Sequence, residues 1–367
     1  MEFSNFQEDI NISNVHVSGI AAVAKLVDDK LTEQKLKTLI PCIKDSADAS
    51  CKKQIIDKLT LSLFRKKIDT ELSSKYLAFL NDHDGEVIAG TRLLIQALIQ
   101  SPSFLSRQEV GIKNGKSYAL NNYEIASRMS YFITGSTPDE ELLALAASEE
   151  LTDPAVRAKQ ALRLFNSSRG KNNIFRINKE IFRISKLGIE KNLGQLFTKE
   201  SEMLFNDIIY EKDLPWSQVF TSQGSFMNRS LASHYGLSAP NQSFSWTNYT
   251  GDRQGILSHG SFLSYQYTGD PEITSPIKRG LQIVEDLLCK HLPPPSDVDI
   301  DNDPAARLEN ECKIVARKKT TLHPKSSCFT CHTFMEPLGL SLERFNMLGQ
   351  YRTHEKDKKE CTTIEPG

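Results

Sequence analysis

Asn121-Asn-Tyr-Glu124 and, farther on, Thr137-Pro138-Asp139-Glu140-Glu-Leu-Leu-Ala-Leu-Ala-Ala147 set out helix starts in close succession. The Asn121 side chain can accept from the backbone three residues on while Glu124 reaches back, so a capped helix is expected through Phe132. In the second stretch Thr137 reads as an N-cap, Pro138 as the first helical residue and Glu140 as the third, which predicts a helix to about Ala147. Asp153-Pro154 repeats the signal. There Ala158, Ala161, Leu162 and Phe165 have the spacing of one buried face.

The same periodicity extends toward the N-terminus. Ile55, Ile56, Leu59, Leu63 and Phe64 fall on one stripe of a helix over 55–64. A further helix over 86–100 carries Val87, Leu94, Ala97 and Leu98 and stops before Pro102. Long alternating β runs with NG or DG turns are not evident. Residues 236–275, richer in Gly, Ser, Thr, Tyr and Trp, read as loop with a short strand pair, and Pro293-Pro294-Pro295 with the Asp-rich run to Pro304 reads as an extended connector. There is no internal repeat. The fold class expected is mainly α and multi-domain: an N-terminal helical region over 1–115, a central helical domain over 116–247 and a C-terminal cytochrome c-like module over 248–367.

Of the 367 residues 39% are hydrophobic and 25% charged, the balance of a globular protein. The net charge of −1 provides no global field to recruit nucleic acid or an anionic membrane. No apolar run is long enough for a transmembrane helix. The first thirty residues show no basic segment followed by an apolar one, so no signal peptide is visible and the cytosol is implied. The cysteines point the other way. Cys42 and Cys51 enclose a short polar loop that a disulfide could close, and Cys289 and Cys312 flank the Pro- and Asp-rich segment and could pair likewise, leaving Cys361 over.

The chemistry concentrates in Cys328-Phe-Thr-Cys331-His332. In a c-type cytochrome two thiols at this spacing add across the haem vinyl groups, and the adjacent imidazole ligates the iron. With seven cysteines and eight histidines in the chain, about 0.003 matches to such a pattern are expected by chance. The alternatives are a zinc site completed irregularly by Cys312 and His323, or a disulfide or free thiols; a thioredoxin-like pair would need a βαβ setting that is not evident. One covalent haem c, tethered by Cys328 and Cys331 with His332 as proximal ligand, is the cofactor expected. Residues 333–345 would supply an apolar wall, and a short helix would then carry Leu340, Leu342, Phe345 and Leu348. The distal candidates are His259, His323, Met347 and His234, since Met335 follows His332 too closely to reach over. Arg344 and Arg352 could pair with haem propionates.

The order of several segments resembles the planctomycete-cytochrome-associated group of exported bacterial proteins. The resemblance rests on Phe64–Leu72 with Ser101–Glu109; on Tyr123–Phe132, Pro138–Leu143 and Leu231–Gly236; on Arg253–Leu257, Ser275–Gly280 and Leu288-Cys289; and on Cys328–Arg352. It implies a mostly helical, exported protein with a C-terminal haem-type motif, and it supports Cys42 and Cys51 as partners. The sequence departs from the group at Arg65-Lys66-Lys67, where Arg-Arg-Pro is usual, and at Glu336 and Asn346, where Asp is usual. A further small module normally follows the Tyr-Arg, so a trimmed or incomplete chain is expected.

These readings converge on an extracytoplasmic c-type haem protein, periplasmic or at the cell surface, passing electrons to an unknown redox partner or using its iron in redox chemistry. The other classes open are a peroxidase-type haem enzyme, and a binding or scaffold protein associated with a surface polymer in which the Cys-His module is structural.

Overall fold

The structure, a computed structural model, describes residues 14–184, 188–238, 242–292, 308, 310–355 and 358–362. Sixteen α-helices and three two-stranded antiparallel hairpins lie among them, so the chain is mainly α. The chain divides into two compact units, Met1–Asn173 and Ile174–Gly367. No described helix is long and apolar enough to cross a membrane.

In the first unit the helices Ala49–Phe64, Thr70–Asn81 and Val87–Gln100 bury Ile55, Ile56, Leu80, Leu94 and Leu98 in one core. The expected stripes are those that go inside, except that Ala97 is exposed. Asp48 caps the first of these helices by accepting from Cys51 N at 2.7 Å, and the Cys42–Cys51 disulfide ties the preceding loop to its first turn. Arg65 ends that helix in the left-handed region (φ 60°), where its guanidinium donates to the carbonyls of Leu63, Ser103, Phe104 and Ser106. These interactions answer carbonyls that a helix end and the next loop would otherwise leave unsatisfied.

The Asn122–Thr134 helix has the full capping box: Asn121 Oδ1 accepts from Glu124 N and Glu124 Oε2 accepts from Asn121 N. The next start is displaced. Asp139, not Thr137, is the N-cap of Glu140–Ala147, because its carboxylate accepts from Leu142 N and is also gripped by Arg163 through two hydrogen bonds. On Pro154–Asn166 the inward face is rotated from the one expected. Gln160 and Leu164 are buried, whereas Ala158 and Leu162 are exposed. A hairpin precedes these helices, pairing Ile112–Asn114 with Ser117–Ala119 around Gly115, whose φ of 61° suits the first central position of a tight turn. Asn114-Gly115 between Ile112 and Tyr118 was the missed signal.

The second unit packs Phe182, Phe205, Ile256, Phe262, Leu342 and Phe345 into its largest core. Strand Gly224–Met227 pairs with Ser245–Asn248, Gly224 opposite Asn248 and Met227 opposite Ser245, so only one strand of that pair falls within 236–275. The Pro276–Gln282 and Phe329–Leu340 helices cross with backbone against backbone at Gly280 and Gly339. The short helix expected after the motif is instead part of a run of turns: Leu342 and Phe345 are buried there as core, outside any helix. Cys289 is free and exposed, and Cys312 pairs with Cys361, so the expected Cys289–Cys312 bridge is replaced by one of longer span. The Pro293–Pro304 connector lies outside the described residues.

Candidate functional site

Cys328 stands at the N-cap of the Phe329–Leu340 helix, with Cys331 and His332 in its first turn. Ser326 Oγ accepts from Cys328 N at 3.2 Å and Cys328 O accepts from His332 N at 3.1 Å, so the five residues are wound as one helical start. That winding brings both sulfurs to one end of the helix. Neither is in a disulfide, and both are partly exposed. The other cysteines within the second unit besides Cys289 are oxidised. Cys312 therefore has no thiolate to give, which removes it from the zinc alternative. Among the described residues no cluster of three or more His, Cys, Asp or Glu side chains is arranged to hold a metal ion.

One helical turn beyond His332 lies Glu336, fully buried. The i,i+4 spacing places the two on one face. His332 Nδ1 donates to Glu336 Oε1 at 2.9 Å. The same carboxylate accepts from Thr321 Oγ1 (2.9 and 2.8 Å to its two oxygens) and from Arg317 Nη1 at 3.2 Å. Arg317 comes from the Lys313–Lys319 helix, so the ring is oriented by groups from two helices and the turn between them. Because a carboxylate only accepts, the proton sits on Nδ1, and Nε2 makes no hydrogen bond among the described residues. A partly exposed imidazole with Nδ1 engaged and Nε2 open is the form in which histidine binds a metal.

The distal candidates are differently employed. His259 is fully buried: Nδ1 lies 3.2 Å from Ser201 Oγ and Nε2 lies 2.7 Å from the Tyr249 hydroxyl. Burial, with the Arg253 charge acting in the same direction, brings its pKa down to about 3. Beside it burial pushes the Glu200 carboxyl up to about 8, against the opposing influence of Tyr235, Arg253 and Ser225. Both groups are neutral at pH 7, so their 3.5 Å approach is not an ion pair. The consistent pattern is Tyr249 O–H donating to Nε2, Nδ1–H donating to Ser201, and Tyr235 O–H donating to Glu200 Oε2 at 2.8 Å. His234 Nε2 donates to Leu348 O at 2.9 Å, and Met347 is buried with its sulfur 3.8 Å from Arg279 Nη2. His323 is exposed, its Nδ1 accepting from Lys325 N at 3.2 Å.

Arg344 and Arg352 are committed to protein carboxylates. Arg344 pairs with Asp252, and Arg352 with Glu272 and Glu343. Glu343 is the hub of a buried charge cluster, accepting also from Arg279, Lys313 and Thr274. Burial alone would raise its pKa, but Lys313, Arg279 and Arg352 together hold it below the ordinary value. This cluster locks the segment after the motif onto the Pro276–Gln282 helix. Glu336 and the Glu200 network were not singled out as functional from sequence; only the His332–Glu336 spacing could have shown the first.

Fold and site together define a mainly α-helical, disulfide-bonded protein with a two-cysteine, one-histidine motif at a helix start. Residues 120–237 match the family model PSD4, protein of unknown function (DUF1592), and residues 253–355, which include the motif, match PSCyt3, protein of unknown function (DUF1588). These are the planctomycete cytochrome-associated families. No curated protein and no solved structure matches the chain.

Proposed function

We propose that this chain is an extracytoplasmic c-type haem protein that exchanges electrons with a redox partner. Cys328 and Cys331 would tether one haem c through thioether bonds, and His332 would hold its iron through Nε2. The haem, when bound, supplies a one-electron iron couple whose potential is set by the axial ligand and its surroundings. The observation that carries the reading is the pairing of two reduced, accessible thiols with an imidazole whose Nδ1 is already held by a buried carboxylate. The chain's own part is to fix that ring and keep the sulfurs at one helix end. The disulfides Cys42–Cys51 and Cys312–Cys361 support an oxidising compartment, where haem c is also attached.

The test is production with export in a bacterium that matures c-type cytochromes. The purified protein is expected to carry one iron and a c-type pyridine haemochrome spectrum, altered in Cys331→Ser and lost or strongly changed in His332→Ala. Correctly exported protein that is colourless and free of iron would overturn the proposal.

A further inference from the structure

Resting on the haem reading above, we infer that Glu336 is a positioning residue that makes His332 an electron-rich ligand and lowers the midpoint potential of the site, with Thr321 and Arg317 moderating the effect. The bond involved is the 2.9 Å contact from His332 Nδ1 to Glu336 Oε1. A buried carboxylate that accepts the Nδ1 proton pulls charge toward itself and leaves Nε2 more basic, which favours the more positive oxidation state of a bound metal. A neutral acceptor at Nδ1 would do this less. Glu336 is fully buried, so the bond is not diluted by water. Thr321 donates to both oxygens of the carboxylate and Arg317 to the one that serves His332, and each draws away electron density that would otherwise act on the imidazole. The trio thus sets how strongly the ligand donates.

Four proteins matured with haem decide the matter: wild type, Glu336→Gln, Glu336→Asp and Thr321→Val. Haem content by pyridine haemochrome depends on the two cysteines and is read first; potentials are then read by spectroelectrochemical titration. Glu336→Gln is expected to weaken ferric over ferrous preference about tenfold, an upward shift of about 59 mV for a one-electron couple. Thr321→Val frees the carboxylate and is expected to shift the potential the opposite way by a smaller amount. Glu336→Asp, which retains the charge, should return toward wild type. A residue that merely supported the helix would not produce shifts of opposite sign. Haem-loaded variants with the wild-type potential overturn this inference and leave the haem reading standing. Should Glu336→Gln not accumulate, Thr321→Val decides alone, an unchanged or raised potential refuting the inference. Wild-type protein without haem sinks the function and the inference together.

Discussion

Replacing Gly280 by alanine tests the packing that holds the motif helix in place. A Cβ built at Gly280 would lie 1.8 Å from the carbonyl oxygen of Met335 and 2.6 Å from its carbon; one at Gly339 would lie 1.8 Å from Pro276 O. Unstrained C···O contacts begin at about 3.3 Å, so the two helices would have to part by roughly 1.5 Å. Every atom met is backbone, and no side chain can rotate aside. A gap of that size forfeits much of the dispersion attraction along the crossing, and overpacking of this kind costs about 3 kcal/mol or more. The intrinsic preference has the opposite sign, since alanine in a helix interior is favoured over glycine by about 1 kcal/mol. The two effects therefore predict different signs, which makes the experiment decisive. Both tryptophans of the chain, Trp216 and Trp246, belong to the second unit, so their fluorescence during denaturant unfolding reports that unit alone. Gly280→Ala is expected to lower its stability by about 3 kcal/mol, and Gly339→Ala by a similar amount. An alanine variant as stable as the parent, or more so, would refute the close crossing.

The Glu200 network gives the second unit a pH dependence. Glu200 titrates near 8 when folded against an ordinary value of 4.5, so it binds its proton more tightly in the folded chain; that stability is complete below about pH 4.5 and is lost as pH rises through 8. Glu200→Gln should remove the loss, so that its melting temperature gains on wild type between pH 6 and 9; parallel curves would contradict the assignment. His259, brought down to about 3 from 6.5, acts on the acid side, contributing stability above about pH 6.5 that fades as pH falls toward 3. The expected outcome is a melting temperature less sensitive to acid in a stably folded His259→Gln variant. The disulfides close loops with sequence separations of 9 and 49 residues. Chain entropy then predicts losses of about 3 kcal/mol for Cys42→Ser/Cys51→Ser and about 4 kcal/mol for Cys312→Ser/Cys361→Ser, and the reverse order in calorimetry would count against these pairings.

Helix starts were legible where the capping partners are close in sequence. Asn121 and Glu124 satisfy each other within one turn, and Asp153 accepts from Ala155 N two residues on, so no distant residue is needed. Reading failed where a distant residue decides. Thr137 and Asp139 can both cap, but only Asp139 is also held by Arg163. The inward face of Pro154–Asn166 holds Gln160, which hydrophobic periodicity excludes, because its amide donates to Glu141 at 2.8 Å.

By itself the sequence determined the helical class and the placement of two thiols beside an imidazole, because each follows from residues a few positions apart; it offered Cys42–Cys51 as a bridge that could close, and the structure closes it. Only the tertiary structure decided that Cys312 pairs with Cys361, that His259 has both ring nitrogens engaged, and that Thr321 and Arg317 reach the carboxylate of Glu336. Those outcomes depend on which distant groups are brought within hydrogen-bond or bonding distance inside a water-poor interior. Spacing along a chain does not encode that proximity.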